Sequence, residues 1–172
     1  RVERLSDTLG LIEKTGARGV PVELDVRSEQ SMTRAMAEIA GALGGLDTLV
    51  NNAAVTLRAT ALEMTRSEWD ELMSVNLKGV FFMSQLMGRH LVENKRPGCI
   101  VSLASAHGLV GFAGRSAYGI AKAGIIQMTR QLAIEWAGDR IRVNAVAPGT
   151  VDTPSRAEYF DASRLGSQAS DA

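Results

Sequence analysis

A chain of 172 residues, 45% of them hydrophobic, is long enough to bury a sizeable core, and its composition is that of one soluble globular α/β domain over residues 1–172. Nineteen Lys and Arg balance nineteen Asp and Glu, which excludes a global field for gathering nucleic acid or an anionic membrane; a small neutral or weakly charged molecule is the expected ligand. The single Cys99 excludes an intramolecular disulfide, no apolar run reaches the roughly 18 residues of a membrane span, and no secretory signal is visible, so a cytoplasmic location is expected.

In chain order, Arg1 to Lys14 reads as a helix already under way at a first residue that is not Met. Gly19 to Val26 follows as a first strand, and Ser28 to Leu43 as a helix with Ser28 as its candidate N-cap. Leu46 to Asn52 is the second strand. The long segment Ser67 to Val92 is helical, with Ser67 as candidate cap and Leu72, Val75, Val80 and Met83 at approximate helical spacing toward a core. Cys99 to Ser105 is the third strand, Ser116 to Ala137 the next helix, and Arg140 to Ala147 the fourth strand. Apolar strands alternating with helices predict a doubly wound parallel sheet. The tail, Ser155 to Ala172, is polar and weakly patterned, a lid over a ligand or a frayed end.

Ligands of such sheets sit outside the carboxyl ends of the strands. Here every strand ends in polar or small residues: Leu24-Asp25-Val26, Asn51-Asn52-Ala53-Ala54, Ser102-Leu103-Ala104-Ser105, and Asn144 to Thr150 with Pro148-Gly149 inside it. One such end is an ordinary loop start; four on one rim favour a binding site.

Tyr118 and Lys122 stand four apart on a predicted helix, one turn apart on one face. An ammonium beside a phenol favours the phenolate, the form a general base needs. The spacing alone also describes many solvated helix faces. Context favours chemistry: Ser105 ends the preceding strand, and a short Gly-rich loop from His107 to Arg115 returns the chain toward it, so the serine hydroxyl can hold a substrate oxygen beside Tyr118. A nucleophilic serine is disfavoured, since Ser105 has no G-x-S-x-G elbow and the two histidines are His90, expected on a helix surface, and His107, two residues from the serine. One cysteine and two separated histidines offer no metal cluster. His107 and Arg115 are candidate substrate contacts, with a satisfied loop histidine the competing reading of His107.

Together these residues resemble the short-chain dehydrogenase/reductase family from about Val20 to Thr153. The resemblance is carried by LDTLVNNAA at Leu46 to Ala54, close to the family's N-N-A-G; by Asn76 within VNLKG; by Ser105 thirteen residues before Tyr118; by the Y-x-x-x-K pair; and by PGTVDT from Pro148 to Thr153. It implies a Rossmann-like sheet and transfer of hydride between a secondary alcohol or ketone and NAD or NADP, with NAD slightly favoured. It further implies Tyr118 as general acid/base and Ser105 as the group orienting the substrate oxygen. Lys122 would tune Tyr118 and hold the nicotinamide ribose, and Asn76 would support a water path to Lys122. Asp25 and Val26 would meet the adenine, Asn52 and Ala53 would lie along the cofactor, and Pro148, Gly149, Val151 and Thr153 would line the nicotinamide end. Similar proteins form dimers and tetramers through the helices at 67–92 and 116–137, where Phe81, Phe82, Met83, Leu86 and Met87 on one and Ile125, Ile126, Met128 and Trp136 on the other carry more apolar surface than one core-facing stripe needs; ordinary core packing is the competing reading.

The chain departs from the family at Ala54, where glycine is usual, and in lacking any G-x-G-x-x-G turn. The family's first, second and last strands have no counterpart. The first of these lies between the strands expected at Val20 and Leu49, so the sheet is expected to be incomplete and the chain a fragment that binds cofactor poorly by itself. The expected substrate is a sugar, sugar acid, steroid-like or other secondary alcohol, with Thr150 to Ser155 resembling members that oxidise hydroxy acids or sugar acids and Pro154 to Phe160 as lid. A reductase of 3-oxo esters on acyl-carrier protein is the alternative, and a truncated, non-catalytic assembly subunit the second class.

Overall fold

The computed structural model describes residues 3–151. Three parallel strands, β1 (Thr48–Asn51), β2 (Gly98–Leu103) and β3 (Ile141–Val146), pair in the order β1-β2-β3, with Leu49 opposite Ile100 and Ile100 opposite Val143. Five α-helices accompany them: α1 (Glu3–Lys14), α2 (Glu29–Leu43), α3 (Arg66–Met73), α4 (Val80–Glu93) and α5 (Ser116–Glu135). Parallel strands require crossover connections, and α3–α4 and α5 supply them.

The period of two along β2 sends Ile100, Ser102 and Ala104 to one face, where they are buried. On that face Ile100 and Ala104 pack with Ile141 and Val143 of β3, with Met87 and Leu91 of α4, and with Ile125, Met128 and Leu132 of α5. The opposite face leaves Val50 57% and Val146 51% exposed among the described residues, so the core lies on the α4–α5 side of an incomplete sheet.

The strand expected at Gly19 to Val26 does not form. A strand exists only where a neighbour completes its hydrogen-bond ladder, and among the described residues nothing pairs with the outer edge of β1 or with residues 17–25. The apolar character of the segment is used differently. Its end packs on the helical layer, where a Cβ at Gly79 would lie 2.8 Å from the Val26 carbonyl oxygen, and the Asp25 N–H donates to Ser31 Oγ at 3.0 Å.

The long helix also differs in detail. Thr65, not Ser67, is its N-cap: Thr65 Oγ1 accepts from the Glu68 N–H while the Glu68 carboxylate accepts from the Thr65 N–H and hydroxyl, a reciprocal capping box. These bonds hold the Glu68 carboxyl below its ordinary pKa. Between α3 and α4 the helix widens into a π-helical segment, Ser74–Gly79. Leu72, Val75, Val80 and Met83 are all buried, and the five-residue step from Val75 to Val80 is what an i to i+5 turn absorbs without rotating the apolar stripe off the core. Ser28 caps α2 as expected, its side chain accepting from Ser31 N–H.

Candidate active site

The carboxyl ends of β1 and β2, the π segment and the first turns of α5 converge on one side of the sheet. β1 ends at Asn51, which is buried and donates through Nδ2 to Ser84 Oγ at 3.0 Å and Ser102 Oγ at 3.1 Å. Ser84 passes its own proton to the Val80 carbonyl at 2.7 Å. This polar chain ties β1, β2 and α4 together inside an apolar core. Sequence reasoning did not single it out, although Ser102 shares the buried parity of Ile100 and Ala104, where a polar residue needs a partner.

From there the chain turns outward. Asn52 and Ala53 are exposed and line, with Leu24, Val26, Leu49 and Val75, a cavity of about 170 Å³. Val26 and the Asn52–Ala53 pair, expected along one ligand, therefore share one cavity. Asp25 does not line this cavity: Arg27 grips its carboxylate bidentately, Nε to Oδ1 at 3.0 Å and Nη2 to Oδ2 at 2.8 Å, and this guanidinium lowers the Asp25 pKa to about 2.

Asn76 sits fully buried in the π segment. Its Oδ1 accepts from Val55 N–H and its Nδ2 donates to Val55 O, both at 2.8 Å, so one side chain clamps the backbone that follows Asn52 and Ala53. Arg115 holds the same loop further on, donating through Nη1 to Leu57 O at 3.3 Å and pairing with Ala59 in a parallel bridge.

α5 carries Tyr118 and Lys122. Lys122 is 3% exposed; its Nζ donates to Leu103 O at 2.6 Å and lies over the Tyr118 ring, 5.6 Å from the centroid. Burial pushes the ammonium pKa below the ordinary lysine value. Ser105, also buried, caps the short 3₁₀ turn Ala106–Gly108, and its Oγ lies 3.2 Å from both the backbone nitrogen and Nδ1 of His107. The His107 ring stands edge-on to Tyr118, 5.7 Å between centroids at 84°. Ser105, His107, Tyr118 and Lys122 thus form one contiguous group.

The turn after β3 joins the same rim, the Pro148 carbonyl accepting from Ala106 N–H at 2.9 Å. Gly149 and Val151 are exposed beside it. Thr153, the segment Pro154 to Phe160 and the tail from Ser155 lie outside the described residues. His90, expected on a helix surface, is half-buried and its Nε2 accepts from Leu46 N–H at 3.3 Å. Among the described residues no three His, Cys, Asp or Glu side chains gather as a metal site, and no helix is long and apolar enough to cross a membrane.

A family model described as enoyl-(acyl carrier protein) reductase matches residues 2–171. The chain belongs to the short-chain dehydrogenase/reductase family. Among relatives of this family, the 3-oxoacyl-(acyl-carrier-protein) reductase FabG of Thermotoga maritima is 40% identical over 134 residues, covering 78% of this chain and 54% of the relative. The 3beta-hydroxysteroid dehydrogenase 1 of Eggerthella lenta is 34% identical over 158 residues, 92% of this chain and 60% of the relative. A solved structure of a proposed short-chain alcohol dehydrogenase from Sinorhizobium meliloti superposes with a TM-score of 0.89 at 40% identity, over 98% of this chain and 66% of that one. The chain therefore spans little more than half the length of the first two relatives.

Proposed function

We propose that this chain forms the catalytic part of an NAD(P)-dependent oxidoreductase that interconverts a secondary alcohol and a ketone. The observation that carries the reading is the contiguous Ser105–Tyr118–Lys122 group on the rim shared with Asn52, Ala53 and Pro148. When bound, a nicotinamide dinucleotide supplies or takes the hydride. Tyr118 exchanges the proton at the substrate oxygen, and Ser105 places a hydroxyl against that oxygen. The Lys122 ammonium lies over the Tyr118 ring and places a positive charge beside the group that exchanges the proton.

The chain's residues suit that cofactor along the rim. Val26, Asn52 and Ala53 wall the cavity toward the adenine side with Asp25 beside it; Pro148, Gly149, Val151 and Thr153 serve the nicotinamide side; Lys122 reaches the ribose between them. Asn76 keeps the wall in place by its grip on Val55 and, through the widened helix, supports a water path toward Lys122. NAD is slightly favoured over NADP.

For substrate, a hydroxy acid or sugar acid is the leading class. A second cavity, about 450 Å³, is lined by His107, Phe112, Arg115 and Ile120; it touches the Ser105–Tyr118–Lys122 group through His107, and among the described residues Arg115 is the one Lys, Arg, Asp or Glu on its wall. A carboxylated substrate suits a wall that offers a cation and no carboxylate. The second reading is an acyl-carrier-bound 3-oxo ester, favoured by the FabG relative and by the half-exposed apolar Leu109, Val110 and Phe112 at the cavity mouth. Assayed with NAD(H) and NADP(H) against both classes, the full-length protein is expected to turn over hydroxy or keto acids and to lose that preference in Arg115→Ala. Turnover of 3-oxoacyl thioesters alone would select the second reading.

The helical faces support self-association. A groove of about 330 Å³ runs between α4 and α5, where Phe81, Val92 and Trp136 alternate with Arg89, Glu93 and Glu135, and Phe81 and Val92 are exposed. A homodimer or homotetramer through these helices buries it.

A further inference from the structure

We propose that His107 is a positioning residue that decides which way the Ser105 hydroxyl points, acting as a hydrogen-bond donor through Nδ1 in the reactive protein. The inference rests on the oxidoreductase reading above and assigns a role within that site.

A serine hydroxyl has one proton to give and two lone pairs with which to accept. Ser105 Oγ already accepts from the His107 backbone N–H at 3.2 Å, and the His107 Nδ1 lies at the same distance on another side. Two arrangements satisfy this pair. If Nδ1 is bare, Ser105 donates its proton inward to the ring and has only a lone pair left for the substrate. A ketone oxygen, itself an acceptor, then meets no donor from Ser105. If Nδ1 carries a proton, both lone pairs of Oγ are filled from His107, and the serine proton is left for the substrate oxygen. The second arrangement makes Ser105 an obligate donor, which serves ketone reduction and alcohol oxidation alike, because in both directions the developing negative charge falls on that oxygen.

The surroundings hold the imidazole in place for this task. Its ring is sandwiched between Phe112, 4.3 Å away between centroids, and the edge of Tyr118. The 3₁₀ turn that carries it is seated on α5 at the turn bearing Lys122: a Cβ at Gly108 would come within 2.9 Å of the Lys122 carbonyl oxygen and 2.7 Å of its carbonyl carbon. Among the described residues, the cavity wall that His107 shares includes Arg115 but no carboxylate that would draw an Nδ1 proton away from Ser105. The same turn thus fixes the distance from Ser105 to the ring and from the ring to Tyr118.

Three substitutions separate this role from packing. In the full-length protein, His107→Asn keeps a donor near the Nδ1 position, His107→Phe keeps the ring but offers no hydrogen bond, and His107→Asp presents an acceptor that takes the Ser105 proton inward. The expected order of kcat for ketone reduction is wild type, then Asn within about 5-fold, then Phe, then Asp, with the Asp variant down on the order of 100-fold, the cost of one lost oxyanion donor. In a Ser105→Ala background, His107→Asp should add almost nothing, since the hydroxyl it misdirects is gone. A packing role predicts a different order, with Phe best and Asn and Asp equal, and an Asp effect that persists without Ser105; either result overturns the proposal. Nitrogen-15 NMR of the histidine rings, with His107→Asn assigning the signal, reads the proton directly and needs no turnover. A protonated Nδ1 supports the proposal and a bare Nδ1 overturns it. Absence of any turnover in the wild-type protein would count against the oxidoreductase reading and leave the NMR result to decide the placement of the proton.

Discussion

Lys122 is the residue whose physics and function pull in opposite directions. An almost fully buried ammonium is costly unless well paired, and here its described hydrogen bond is to the Leu103 carbonyl. Its folded pKa is lowered below that of the unfolded chain, so between the folded value and about 10.5 the unfolded state binds the extra proton. Stability therefore rises with pH through that window, and the burden is fully present below it. Lys122→Met is expected to abolish turnover while raising Tm at neutral pH, with the gain shrinking as pH approaches 10.5; thermal melts of both proteins across that range check it, and a lower Tm for the variant would show that the Leu103 bond outweighs the burial cost. The pair Tyr118 and Lys122 was legible from sequence because four residues on a helix fix a shared face. What Asn76, His107 and Arg115 do with their side chains was not. Each is explained by a contact between residues far apart in sequence, Asn76 with Val55 and Arg115 with Leu57, or by a hydroxyl whose orientation no spacing encodes.

At the scale of elements, hydrophobic period located every helix and three of the four expected strands to within a few residues. The exception, Gly19 to Val26, shows where period runs out: an apolar, β-rich segment has the composition of a strand, but a strand also needs an edge to pair with. The cap of α3 was misplaced because Ser67 and Thr65 are both good caps by type, and only Thr65 has Glu68 three residues on to close the box. The π segment was written in the sequence as the five-residue step from Val75 to Val80. Gly79 within it lets the Val26 backbone approach, so Gly79→Val, which places side-chain carbons into the Val26 carbonyl, is expected to cost about 1–3 kcal/mol by urea unfolding. No change in midpoint would mean that the segment ending at Val26 moves aside freely. In the core proper, Leu91 is fully buried between α4 and the sheet, and Leu91→Ala should cost about 2–5 kcal/mol in the same experiment.

For the molecule as a whole, one sheet face is packed and the other holds half-exposed Val50 and Val146, while the α4–α5 face offers a groove that mixes apolar with charged side chains. Placing charges there in a Phe81→Asp/Val92→Asp variant is expected to shift the light-scattering mass of the full-length protein from dimer or tetramer to monomer with little loss of helix content. An unchanged mass would move the interface elsewhere. The proposed chemistry depends on Tyr118 as the proton-exchanging group. The measurement that tests it most directly is the rate of NADH or NADPH formation with secondary alcohols, hydroxy acids included, by the full-length protein and its Tyr118→Phe variant, with cofactor binding followed in parallel. The account predicts turnover in the first, a loss of about 10²- to 10⁴-fold in the second, and cofactor affinity retained in both; equal turnover in the two proteins would contradict it.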